Sequence, residues 1–124
     1  MYSERLLDHF HNPRNVGELP PPAVTVEVSN PVCGDILRLS VDFHDGRVAE
    51  ARFKTRGCTA SIAAASALTC LLIGKTPPEI ATLRPIDVET AVGGLESESK
   101  HAARLAVDAV RAVLRGAGFS PRGA

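Results

Sequence analysis

Two cysteines in this sequence stand where thiols can do metal or sulfur chemistry. Cys33 lies in the segment 30–35 (NPVCGD), in which a proline and a glycine bend the chain and Asp35 follows the thiol by two residues. Cys58 comes after Arg56-Gly57, where an alternating pattern gives way to a helical one. The positive end of a helix dipole and a nearby arginine both favour a thiolate. Cys58 is therefore a candidate thiolate, and Cys33, in its loop close to Asp35, is a second candidate for metal or sulfur chemistry. An inert structural thiol is the alternative for each.

The third cysteine, Cys70, does not belong to the same site. It follows Cys58 by twelve residues on one predicted helix, which separates the two by about 18 Å along the axis and about 120° around it. We expect Cys70 to be buried in the core as a small apolar side chain. Among the histidines, His101 opens the last predicted helix and is a candidate ligand. The other three are expected to be surface or capping residues: His9, His11 and His44.

Two thiols, a carboxylate and an imidazole form a chemically sensible ligand set. The set is Cys33, Asp35, Cys58 and His101. Its spacing matches no zinc finger or zinc ribbon. These donors can nevertheless bind zinc tetrahedrally or hold an iron–sulfur cluster.

The hydrophobic pattern predicts the elements that must position these residues. Three segments alternate apolar and polar residues, as half-buried strands do: 24–29, 36–44 and 47–56. Asp45-Gly46 predicts a tight hairpin turn between the last two. Helical periodicity predicts helices at 3–11, 59–73 and 98–115, a short helix from Pro77 and a further turn at 87–92. We therefore expect an α+β fold, with helices packed on one face of a three-stranded antiparallel sheet.

Composition excludes several classes of function. The 124 residues contain 14 basic and 14 acidic side chains and only 4% aromatic residues, which argues against nucleic-acid binding. No apolar run is long enough for a membrane span, and the charged start predicts no signal peptide. Three cysteines do not suggest a disulfide framework, so we expect a reducing, cytoplasmic location. The length predicts one domain over residues 1–124, with a frayed tail at 116–124.

Several motifs, in order, resemble the IscU/NifU N-terminal family of iron–sulfur cluster assembly scaffolds. They are HFHNPRNVG at 9–17, NPVCGD at 30–35 and FKTRGCTASIA at 53–63. The resemblance implies the α+β fold and carries cluster or metal binding to Cys33, Asp35, Cys58 and His101. It implies a [2Fe–2S] cluster, iron or zinc as the bound species. It also implies a cysteine desulfurase and acceptor apo-proteins as partners.

Two positions depart from the family pattern. The resemblance places the family's third ligand cysteine at residue 102, which is Ala102 here, and Leu95–Ser99 replaces the segment that a chaperone recognises. We expect a non-enzymatic scaffold or carrier whose site holds a cluster less firmly than three thiolates would. The alternatives are a zinc-binding or metal-free regulatory module of the same fold, a sulfurtransferase that accepts a persulfide on Cys58, and a Cys–His hydrolase.

Overall fold

The sheet and its helices follow the predicted order. The computed structural model describes residues 2–32 and 34–119, and within these ranges the chain forms three strands and five α-helices. The strands are β1 (Val24–Asn30), β2 (Asp35–His44) and β3 (Arg47–Arg56). The helices are α1 (Glu4–His11), α2 (Thr59–Leu72), α3 (Pro77–Ala81), α4 (Pro85–Ala91) and α5 (Lys100–Gly116), and a short 3₁₀ helix at Ser97–Ser99 precedes α5.

The sheet is antiparallel with the order β1-β2-β3. Leu39 of β2 lies opposite Val26 on one side and Phe53 on the other. The hairpin turn between β2 and β3 has positive φ angles at Asp45 and Gly46, as this residue pair predicts. Near this turn a register shift at Asp42/Phe43 interrupts the alternation.

Helices cover one face of the sheet, which confirms the predicted α+β fold. The central strand turns Leu37, Leu39 and Val41 into the core. Helix α2 packs against β3, and α5 packs against β1 and β2. Alanines occupy much of α2, and small side chains let a helix approach its neighbours closely. The starts of α2 and α5 are thereby held near the end of the sheet where β2 begins.

Cys70 does not lie in the core, so that prediction was wrong. Its side chain is free and exposed on the outer surface of α2. Ser66, one turn earlier on the same helix, is buried because the backbone N–H of Arg14 and the side chain of His9 contact its hydroxyl. This cover comes from a distant part of the chain and does not extend over Cys70.

The C-terminal end of the chain is described as far as Phe119. The backbone N–H groups of residues 117–119 donate to carbonyls in the last turns of α5, and the ring of Phe119 lies 5.8 Å from that of Phe43. The rest of the segment predicted to fray, 120–124, lies outside the described residues. Within the described ranges, no helix combines the length and the apolar character needed to cross a membrane.

Candidate metal centre

Three of the four predicted ligands come together at one point. Asp35 is the first residue of β2, Cys58 immediately precedes α2, and His101 is the second residue of α5. One potential ligand atom from each lies within 4.8 Å of the other two. Cys33, the fourth predicted ligand, lies outside the described residues, so its part in the site stays a prediction.

The three donors differ in their access to solvent. Asp35 is buried, with 5% of its surface exposed, whereas Cys58 is exposed and His101 is half-buried. The site therefore has a carboxylate at its base and a thiol at its mouth. A metal ion or a cluster can reach Cys58 from solvent without movement of the helices.

The Asp35 carboxylate contacts side chains at the starts of both α2 and α5. Its Oδ2 lies 3.1 Å from His101 Nε2 and accepts a hydrogen bond from the Ser61 hydroxyl at 2.5 Å. His101 can donate to Oδ2 only while Nε2 carries a proton, and loss of that proton leaves the nitrogen able to bind a metal. Because a buried carboxylate needs hydrogen-bond partners, these contacts hold Asp35 in place.

Sequence reasoning missed two residues of the site, Gly57 and Ser61. A Cβ atom added to Gly57 would lie 2.8 Å from Asp35 Oδ1, so a glycine is needed for the carboxylate to approach this closely. Ser61 Oγ lies 3.3 Å from Cys58 Sγ. The three-residue spacing of Cys58 and Ser61 was the available signal, since residues i and i+3 lie on the same side of a helix turn.

Position 102 holds no donor atom. Ala102 follows His101 in α5 and is buried, with 3% of its surface exposed. An open cavity of about 480 Å³ lies beside His101, between the end of β1 and the start of α5. Its lining includes Asn30, Lys100 and Arg104. The lining also contains Asp108, and Lys100 is paired with Glu89 at 2.7 Å, so this side of the site offers space with charges of both signs. It has no further thiol among the residues that the structure describes.

The other three histidines lie away from the site. His11 and His44 are exposed, as expected. His9 was expected to be a surface or capping residue and is instead half-buried, with its Nδ1 2.8 Å from Ser66 Oγ. Burial lowers the pKa of His9, and the charge of Arg14 lowers it further. His9 therefore joins α1 to α2 in its neutral form.

The segment that follows α1 is fixed to α2 and to β3. The backbone of Asn15 and Gly17 bonds to that of Phe53 in β3, and the Asn15 amide donates to Thr69 in α2. These contacts hold α2 against the edge of the sheet. The motif at 9–17 thus supports the helix that carries Cys58 at its start.

Comparisons with known proteins agree on the family of this chain. A family model described as "NifU-like N terminal domain" matches residues 1–116. The "Iron-sulfur cluster assembly scaffold protein IscU 1" of Archaeoglobus fulgidus is 40% identical over 114 residues, which cover 92% of this chain and 74% of that protein. The "Iron-sulfur cluster assembly scaffold protein IscU" of Azotobacter vinelandii is 36% identical over 118 residues, with 92% and 91% covered.

Other relatives differ in how they are named. The protein of Drosophila melanogaster, 36% identical over 118 residues and covering 92% of this chain and 76% of its own length, is named an assembly enzyme. A solved NifU-like N-terminal structure from Brucella abortus superposes with a TM-score of 0.71 over 92% of both chains. That likeness, at 20% identity, concerns the fold.

Proposed function

Because this chain belongs to the family of NifU-like N-terminal domains, we propose that it is a scaffold on which iron–sulfur clusters are assembled and from which they are passed on. The observation that carries the proposal is the convergence of Asp35, Cys58 and His101 from three separate elements within 4.8 Å. Cys33, which falls between β1 and β2 in the sequence, is the proposed fourth ligand. A [2Fe–2S] cluster or its iron is the cargo of this site.

The mixture of donors suits a temporary cargo. A thiolate is a soft ligand that binds iron–sulfur clusters firmly, whereas a carboxylate is harder and binds them less well. Asp35 and His101 therefore make the site weaker for a cluster than cysteine ligands would. Zinc accepts sulfur, nitrogen and oxygen donors together, so the same residues can also hold zinc.

The proposed partners follow from the chemistry of the cargo. The sulfur of the cluster must come from a sulfur donor, which we take to be a cysteine desulfurase. The exposed Cys58 thiol can accept that sulfur as a persulfide, with the donor's thiolate as the leaving group, and a thiol reductant then supplies the two electrons that release it as sulfide. Acceptor apo-proteins then receive the finished cluster. Thiols remain free in a reducing compartment, which is the reason to place the protein in the cytoplasm. In this role the chain holds and transfers its cargo and catalyses no reaction of its own.

One observation favours a second function, that of a zinc-binding regulatory module. Residue 102 is a buried alanine, so a third thiolate is lacking at that position. Zinc needs fewer sulfur ligands than a stable cluster does. A module of this kind would bind zinc in stoichiometric amounts and would not build a cluster.

Anaerobic reconstitution tests the proposal. The chain is incubated with iron, a cysteine desulfurase, cysteine and a thiol reductant that converts persulfide sulfur to sulfide, and its visible spectrum, iron and acid-labile sulfide are measured. We expect cluster absorption that is lost in Cys58→Ala and in Cys33→Ala. Cys70→Ala is the matched control, because it removes an exposed thiol from the same helix, and it should keep the cluster.

The other outcomes are distinct. Stoichiometric zinc without a reconstitutable cluster would contradict the scaffold and support the zinc module. Transfer of ³⁵S from labelled Cys58 to an acceptor, with no cluster formed at any stage, would instead point to a sulfurtransferase.

A further inference from the structure

We propose that Ser61 is a positioning residue of this site, which fixes the Asp35 carboxylate in its place beside Cys58. The inference rests on the proposed function, because it assigns a role within the same site. Ser61 lies in the first turn of α2 and is buried, with 5% of its surface exposed. Its hydroxyl contacts both Asp35 Oδ2, at 2.5 Å, and Cys58 Sγ, at 3.3 Å.

The hydrogen bonds of Ser61 have defined directions. A hydroxyl has one proton to donate and two lone pairs that accept. The carboxylate can only accept when ionised, so the Ser61 proton goes to Asp35 and an oxygen lone pair faces the Cys58 thiol. One side chain thus connects the start of β2 to the start of α2, and it does so without His101.

The two oxygens of Asp35 have different surroundings. Oδ1 faces the Cα of Gly57, where even a methyl group would come within 2.8 Å. Oδ2 faces Ser61 and His101. When His101 Nε2 binds a metal it can no longer donate to Oδ2, and the Ser61 hydrogen bond then remains to fix the carboxylate.

Ser61 should contribute to metal affinity as a residue that hydrogen-bonds to a metal ligand without touching the metal. Such partners orient the ligand, and their removal commonly costs about 10–100-fold in metal affinity. In Ser61→Ala the Asp35 carboxylate loses this bond and can rotate away from Cys58. The variant should therefore fold but bind metal more weakly by a factor in this range.

Zinc affinity, measured by competition with a chromophoric chelator, tests the proposal on the full chain. Ser61→Ala should bind Zn²⁺ about 10–100-fold more weakly, and Ser61→Thr, which keeps a hydroxyl, should recover most of the loss. The matched control is Ser66→Ala, which removes a buried hydroxyl from the same helix, away from the site. That control should lower the melting temperature and leave zinc affinity unchanged.

A double-variant comparison separates positioning from general stability. If Ser61 acts through Asp35, Ser61→Ala should have no further effect on zinc affinity in an Asp35→Ala background. Equal affinity of Ser61→Ala and the unaltered chain would overturn the role of Ser61 alone. Equal losses in Ser61→Ala and Ser66→Ala would also overturn it, whereas absence of zinc binding to the unaltered chain would overturn the metal site itself.

Discussion

Gly57→Ala should damage the site through a single added methyl group. The new Cβ would lie 2.8 Å from Asp35 Oδ1, 2.9 Å from its Cγ and 3.0 Å from Ser61 Cβ. Ordinary contact begins near 3.4 Å, so the carboxylate would have to move by about 0.6 Å. Gly57 does not have a left-handed backbone, so the substitution brings crowding without backbone strain.

The size of the loss in stability and zinc affinity depends on the contacts that this movement of Asp35 disrupts. Asp35 is buried and held by Ser61 and His101 through Oδ2, so a shift away from Gly57 disturbs both hydrogen bonds. Overpacking of this kind costs about 1–3 kcal/mol of folding free energy. In a domain of this size that is a fall of roughly 3–12 °C in melting temperature. Because Asp35 is a proposed ligand, its displacement should also weaken zinc binding by about 10–100-fold.

Thermal unfolding and zinc competition together measure both effects. Gly116→Ala is the matched control, because its added Cβ would lie 3.0 Å from Val24 Cγ1, again without a left-handed backbone and away from the site. We expect that control to leave zinc affinity unchanged. In an Asp35→Ala background, which removes the two nearest atoms and leaves only Ser61 Cβ at 3.0 Å, Gly57→Ala should cost less stability. If Gly57→Ala alone kept both its stability and its zinc affinity, the close packing described for Asp35 would be refuted.

Three further predictions concern other parts of the molecule. Cys70→Ala should change the unfolding free energy by no more than about 0.5 kcal/mol in denaturant titration, because the side chain is exposed; a loss of 2 kcal/mol would show that it is buried. Ala102→Cys should slow loss of the reconstituted cluster several-fold in visible absorbance, since it adds a thiolate beside His101, whereas Ala103→Cys, also buried, should not. Because folding lowers the pKa of His9, this residue is protonated at a higher pH in the unfolded chain than in the folded one. The folded state should therefore lose stability as the pH falls below 6.5. Melting temperatures between pH 7.5 and 5.5 should fall less in His9→Gln, and equal slopes would contradict this.

The sheet could be predicted from the sequence because strands and tight turns are determined by residues that are close together in the chain. Alternating residues gave the strands, and Asp45-Gly46 marked the turn. The helical pattern after Gly57 likewise placed Cys58 at the start of α2. Asp35, Cys58 and His101 each lie at the start of a predicted strand or helix. Starts of packed elements can meet at one end of a sheet, which is why these three residues could be proposed as one site.

Residues that depend on contacts between distant segments were harder to predict. Whether Cys70 is buried depends on how far the chain after α1 extends along α2, and the apolar pattern of the helix does not contain that information. His9 is half-buried for the same reason, through Ser66. Ser61 acquires its role only when the start of β2 brings Asp35 beside α2.

A scaffold must pass its cluster intact to another protein, and this transfer can be measured. The anaerobically reconstituted chain is mixed with an apo-ferredoxin, the two are separated, and iron, sulfide and visible absorption are measured in each. We expect a site with a carboxylate and an imidazole among its donors to release the cluster intact. The cluster should then appear in the acceptor at the rate at which it leaves this chain, even with an iron chelator in the buffer. A cluster that stays on this chain, or whose iron passes to the chelator, would contradict the claim that the protein is a scaffold.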